Sequence, residues 1–369
     1  MGVLPASLLP CNPACPSRKV VHMASFQRSA LWLILSPGSV VRFPPSRHKL
    51  AQAFTLSIAV WTAVTAISVA AAEYPTRPIR LIVPFPPGGG TDILARALGQ
   101  HLSAALKQNV IVDNRAGGNT LIGSEIAANS APDGHTLLIQ INNLTALPAL
   151  SPRKKLSVTV ASFAPITLVA VLPHILVVPR SVQASSMREL IALAKAAPKS
   201  LTYASAGVGT PVHLGGALFA SMAGIELLHV PYKGAADYTT AVLGAHVSMT
   251  FGSVPTVLPH IRTGVLKALG ATTAKRIKAL PELPTIAESG LSGYDISSWY
   301  GIFAPAATPP PTVNLLHREI ARAITTKTVA DRLPDYELIA NTPAEFAVFL
   351  RKDAEMSARV IARSGATSD

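Results

Sequence analysis

The chain is poor in cysteine, and the two it has, Cys11 and Cys15, both fall in the first 72 residues. From Glu73 onward a disulfide, a cysteine-ligated metal or a thiol nucleophile is excluded. Charge is also scarce: Asp, Glu, Lys and Arg make up 14% of 369 residues, where about 25% is usual for soluble domains. Several enzyme signatures are missing as well. No lysine follows the glycine-rich loop, as a P-loop would require, and the loop lacks the Gly-x-Gly-x-x-Gly dinucleotide pattern. There is no Gly-x-Ser-x-Gly elbow and no His-Glu-x-x-His pair. His135, His174, His229 and His260 are scattered rather than set at ligand spacing, so no metal or other cofactor is expected. No basic run interleaved with aromatics suggests nucleic acid.

What charge there is has one dominant sign, and much of it sits at the start. Residues 1–72 hold six basic residues and no acidic one; the remainder carries 26 Lys and Arg against 19 Asp and Glu. Arg47-His48-Lys49 precede an apolar run from Leu50 to Val69, and Ala70-Ala71-Ala72 follow it. A basic segment, an apolar segment and an Ala-x-Ala site describe a secretory signal peptide cut after Ala72 or Ala70. The run approaches the ~20 residues of a membrane span, but its Gln, Ser and Thr content and small terminal residues favour cleavage. Residues 1–46 make no coherent domain, and translation starting at Met23 or nearer Arg47 is the expectation. About two domains are expected for the whole length.

The most informative stretch runs from Ile79 to Asp92. A short apolar strand breaks at prolines, crosses Gly88-Gly89-Gly90 and enters a helix at Thr91, with Leu94, Leu98 and Leu102 at helical spacing. Thr91 is the candidate N-cap. Bare glycine amides at a helix N-terminus favour a small anion, more naturally a carboxylate than a triphosphate. The arrangement returns at Leu201–Pro211: strand, Gly207 and Gly209, Thr210 as N-cap and Pro211 at the first helical position.

Between and beyond these loops the pattern alternates. Asn109–Arg115 and His135–Ile141 read as strands, with a helix through Ile122 and Ile126 between them, so a parallel sheet with right-handed crossovers is predicted. Ligands in such sheets sit beyond the carboxyl ends of the strands, which brings Asn143 and, after the Val247–Phe251 strand, Ser253 into the candidate site. Residues 148–165 read as irregular and Pro173–Pro179 as a strand crossing into a second domain. A capping box at Ser186 and Glu189 opens a helix to Ala197. A helix is predicted over Ala235–Leu243, a return crossing over Ser298–Pro305, and a last helix capped by Thr342 and Glu345.

Tyr74-Pro75, Val83–Asp92, Asp113-Asn114-Arg115, Ala131–Gly134, Tyr203–Gly207, His229–Gly234, Leu258–Ile261 and Ser298–Gly301 together resemble the periplasmic substrate-binding proteins of tripartite tricarboxylate transporters, the Bug or TctC-like receptors. The resemblance covers residues 74–369. It implies an α/β, two-lobed periplasmic-binding-protein fold (type II, Venus flytrap), each lobe a mostly parallel sheet flanked by helices. One lobe would comprise residues 73–172 and 299–369, the other 173–298. The implied function is that of a monomeric periplasmic receptor, not an enzyme, which takes a small organic di- or tricarboxylate to the membrane subunits of such a transporter. A receptor that presents its ligand to a sensor, or an exported α/β enzyme, is the alternative. Carried over by position, Phe85, Gly88, Gly89, Gly90, Thr91 and Asp92 form one half of the site, and Ala206, Gly207, Gly209, Thr210 and His213 the other. Gly252-Ser253 stands where the family often has Asp-Asn, so an acidic group near the ligand is absent.

Overall fold

The computed structural model describes residues 74–153 and 155–366; the expected signal peptide and both cysteines lie outside the described residues. In chain order the first elements are β1 (Ile79–Val83), α1 (Gly90–Leu106), β2 (Val110–Asn114), α2 (Leu121–Ala128), β3 (Thr136–Gln140) and α3 (Asn143–Leu150). β1 pairs parallel with β2 on one side and β3 on the other, as the alternation of strands and helices requires. Next come β4 (Phe163–Pro179), α4 (Met187–Ala196), β5 (Thr202–Ser205), α5 (Pro211–Ala223), β6 (Leu228–Pro231) and α6 (Ala235–Leu243). The chain continues through β7 (Met249–Ser253), α7 (Val254–Arg262), β8 (Leu266–Ala271) and β9 (Ser297–Pro305). It closes with α8 (Pro310–Thr325), α9 (Lys327–Ala330), β10 (Glu337–Leu338) and α10 (Pro343–Ser364).

The strand order is β2-β1-β3-β9-β4-β7-β5-β6, with β8 and β10 also on β4. β4 divides its partners along its length. Phe163–Pro173 pairs antiparallel with β9, whereas His174–Pro179 pairs with β7 and β8. β9 in turn pairs with β3. The pairings thus form two sheets, one of β2-β1-β3-β9 with the first part of β4, the other of the rest of β4 with β7, β5, β6 and β8. β4 and β9 carry the chain between them. Thr272 ties the two crossings together, its hydroxyl donating to the carbonyls of His174 (3.1 Å) and Ile296 (2.7 Å).

Three local expectations change. The first helix begins at Gly90, not Thr91, and its N-cap is Gly89 with no side-chain cap. Asp92, in the first turn, instead holds the loop ahead of the helix, its carboxylate accepting from the Gly88 N–H at 3.0 Å. The supposed irregular stretch 148–165 contains the end of α3 and the start of β4. Pro148 inside α3 and Pro165 beside a register shift in β4 masked both elements, because proline usually interrupts helix and ladder alike. The α4 box is displaced by one residue: Ser186 Oγ accepts from Glu189 N, while the Glu189 carboxylate accepts from Ser185 N at 2.7 Å. The Thr342–Glu345 box forms in full.

Candidate functional site

The β1–α1 loop is held by one carboxylate. Asp92 Oδ2 accepts from Gly88 N (3.0 Å) and Arg96 Nε (2.9 Å), and Oδ1 accepts from Asn114 Nδ2 (3.0 Å). The same Asn114 amide reaches the Phe85 carbonyl at 3.0 Å. Burial pushes the Asp92 pKa up, but the hydrogen bonds from Arg96, Gly88 and Asn114 outweigh it, so the carboxyl stays below its ordinary value and ionised. Gly88 occupies the left-handed region at φ +86 that glycine tolerates. The first helical hydrogen bond runs from Ile93 N to Gly89 O, so the Gly90 and Thr91 amides precede it and have no intrahelical acceptor.

The β5–α5 loop is held by neutral histidines. Thr210 caps α5 by accepting from His213 N, and His213 Nδ1 accepts from Gly209 N at 3.2 Å. Ser205 Oγ lies 2.6 Å from His229 Nε2 and accepts from Gly207 N at 3.1 Å. Tyr203 stacks on His229 with ring centres 4.9 Å apart. Burial lowers the pKa of His213 to about 3, helped by His229, and that of His229 to about 4. Both rings are therefore uncharged at neutral pH, which leaves His213 Nδ1 free to accept.

These two loops meet. Gly89, Gly90 and Thr91 at the start of α1 and Thr210, Pro211 and Val212 at the start of α5 line one inner cavity of about 40 Å³. Ala235, the first residue of α6, and Ser253, the N-cap of α7, line it too. Four helix N-termini thus point their positive ends at a space the size of one carboxylate. Its floor comes from the crossing strands: His174 on β4, Ser298 and Tyr300 on β9, with Tyr238 beside them. His174 Nε2 and Ser298 Oγ are 2.7 Å apart, and burial holds the His174 pKa down to about 4. Among the described residues no Lys, Arg, Asp or Glu lines this cavity. Phe85 and Ala206 also line a second, outer cavity of about 810 Å³. There Gly117–Thr120 and Gly207 face Leu147, Tyr232 and Lys233, the one charged residue among its lining.

Of the residues singled out from sequence, Phe85, Gly89, Gly90, Thr91, Ala206, Thr210 and Ser253 line the inner cavity, and Gly207 the outer one. Gly88, Asp92, Asn143, Gly209 and His213 line neither. They stand behind the walls, Asp92 and His213 by bonding the loop amides just described, Asn143 by a hydrogen bond to Asn119. Sequence reasoning passed over His174, Tyr238, Ser298 and Tyr300. A signal existed for two of them. Ser298 and Tyr300 share one face of β9 by period two, while the intervening Trp299 turns to Phe303 and Phe346 on the other.

Residues 94–365 match the family model described as "Tripartite tricarboxylate transporter family receptor" (TctC). This chain belongs to that family. The receptor is 35% identical over 314 residues to BugT of Bordetella pertussis, covering 84% of this chain and 96% of BugT. Among solved structures it is similar to Rhodopseudomonas palustris Rpa4515 with adipate (TM-score 0.77, 31% identity, 80% of this chain and 99% of that one). MatC from the same organism, with bound malate, superposes at a TM-score of 0.73 with 26% identity over 78% of this chain and all of the other. The fold is the two-lobed one of periplasmic binding proteins. The receptor is a solute-binding protein and not an enzyme, which removes the exported-enzyme alternative. Among the described residues no helix is long and apolar enough to cross a membrane, and no cluster of His, Asp and Glu could hold a metal ion.

Proposed function

We propose that the receptor grips one carboxylate of a small organic di- or tricarboxylate in the inner cavity, with the rest of the ligand in the outer one. The observation that carries this reading is the convergence of four helix N-termini on a cavity without a charged side chain. Each terminus contributes about 0.3–1 kcal/mol to an anion. Micromolar binding needs about 8 kcal/mol, so neither lobe suffices alone. Hydroxyl donors such as Tyr300 and Thr91, each about 1.5–3 kcal/mol toward a charged acceptor, supply the difference only when both lobes close on the ligand. Lys233 at the outer cavity suits a second anionic group. The relatives with adipate and malate fit the same chemistry.

In this reading residues 73–172 and 299–369 form one lobe and 173–298 the other, and ligand binding shifts a hinge at β4 and β9 toward the closed form. The exported, signal-cleaved protein hands its ligand to the membrane subunits of a tripartite transporter. Thermal-shift screening of C4–C8 dicarboxylates, citrate and aromatic acids, followed by calorimetry, tests it. A stoichiometric complex with a dicarboxylate or tricarboxylate is expected. Failure of all carboxylates to bind, with neutral or cationic solutes binding instead, would overturn it.

A further inference from the structure

The β2–α2 connection holds four successive residues at positive φ: Gly117 (+124°), Gly118 (+55°), Asn119 (+53°) and Thr120 (+75°). Glycine adopts this region freely and asparagine tolerates it, but a β-branched threonine does so only under restraint. The restraint is visible. Gln140, fully buried on β3, donates through Nε2 to Thr120 Oγ1 (3.1 Å) and Ser124 Oγ (3.0 Å). Asn143 Nδ2 donates to Asn119 Oδ1 at 3.3 Å. With its oxygen engaged there, the Asn119 amide turns its NH₂ across the cleft, where Nδ2 donates to the Val208 carbonyl at 2.5 Å. Val208 lies between Gly207 and Gly209, in the loop that leads to Thr210 and the inner cavity. A Cβ placed on Gly207 would stand 3.0 Å from Asn119 Oδ1, so the two loops are in contact at this point.

We infer that Asn119 is a positioning residue for ligand affinity: a latch whose side chain ties the first lobe's glycine loop to Val208 of the second and favours the closed receptor. The inference rests on the clamp reading above; Asn119 also lines the outer cavity, so the lobe spacing without ligand, and not the Kd alone, separates a latch from a direct contact. Apparent affinity scales with the population of the binding-competent form, so a contact made only in the closed form tightens binding for every ligand alike. One neutral hydrogen bond corresponds to about a two- to tenfold change in that equilibrium.

Asn119→Gly separates the latch from the fold, because glycine suits φ +53 better than asparagine does. The ligand-free variant is expected to unfold cooperatively at or modestly below the wild-type Tm, since relief at φ +53 is offset by the partner that the buried Asn143 amide loses. Its Kd for the best dicarboxylate should rise about two- to tenfold, chiefly through faster dissociation. Asn119→Asp, which keeps the shape and loses the donor but adds negative charge to the outer cavity, should weaken a dianion at least as much. Distances between spin labels on α4 and α8, measured without ligand, should shift toward the open form in both variants. Wild-type Kd and wild-type lobe spacing in Asn119→Gly would overturn the latch, as would an Asn119→Asp protein that behaves like wild type. If the wild type bound no carboxylate, the proposed function would fail on its own, while the label distances would still judge the latch.

Discussion

Removal of one oxygen atom from Tyr300 tests the inner cavity most directly. The ring is buried and packs against Tyr336 at a centroid distance of 5.8 Å, a contact phenylalanine preserves. The hydroxyl lies beside Ser298 and above the start of α1, 2.7 Å from where a Cβ on Gly90 would sit. Burial raises the phenol pKa, so the group is a neutral donor throughout the physiological range. Ser298 keeps its 2.7 Å contact with His174 when the phenol oxygen is gone, so no buried partner is stranded. Tyr300→Phe should therefore leave ligand-free stability within about 1 kcal/mol of wild type. A hydrogen bond to a carboxylate is worth about 1.5–3 kcal/mol, which predicts a Kd about 10- to 150-fold higher. Calorimetry with the dicarboxylate from the screen measures the loss, and thermal unfolding of the ligand-free protein measures the control. A Kd within twofold of wild type would refute the assignment of the carboxylate to this cavity. Weak binding accompanied by a large drop in ligand-free Tm would also refute it, by making Tyr300 a packing residue.

Gly207→Val places a β-branched residue at φ +111 and a Cβ 3.0 Å from Asn119 Oδ1, so calorimetric binding should vanish while circular dichroism stays native; retained affinity would count against the loop. Asp92→Asn breaks the 2.9 Å ion pair with Arg96 and weakens the hold on Gly88. Urea unfolding should report a loss of about 1–3 kcal/mol, and binding should weaken although Asp92 touches neither cavity. Stability should fall with pH in a defined window. His174 binds its proton at about 4 when folded and near 6.5 when unfolded, so between those values the unfolded state takes up protons that the native state refuses. The stabilisation is complete above pH 6.5 and is lost as pH drops toward 4, by roughly 3 kcal/mol for this residue. His213 and His229, depressed for the same reason, add to it, while the burial-raised carboxyl of Asp353 opposes it. Denaturant titrations at pH 4.5, 5.5 and 7 check the slope; stability that is flat or rising on acidification would contradict three neutral buried imidazoles.

The sequence alone determined the two glycine loops, the parallel character of the first three strands, and the Thr210 and Thr342 caps, because each is written in residues a few positions apart. Hydrophobic period, proline at a first helical turn and the Ser/Thr–Glu spacing are local signals, and local contacts decide them. The same reading misplaced the start of the first helix by one residue, since glycine at the N-cap leaves no side-chain signal and the loop is held instead by Asp92, with Arg96 and Asn114 from elsewhere. It hid the first half of β4, since Pro165 interrupts a strand whose ladder is supplied by β9 more than 120 residues later. What only the tertiary structure decided is the meeting of four helix ends from separate stretches of chain, floored by His174 and Tyr300 from the two crossing strands. No spacing along the chain encodes that meeting. It exists because β4 and β9 run on from one sheet toward the other and turn the carboxyl edges of both to a common gap.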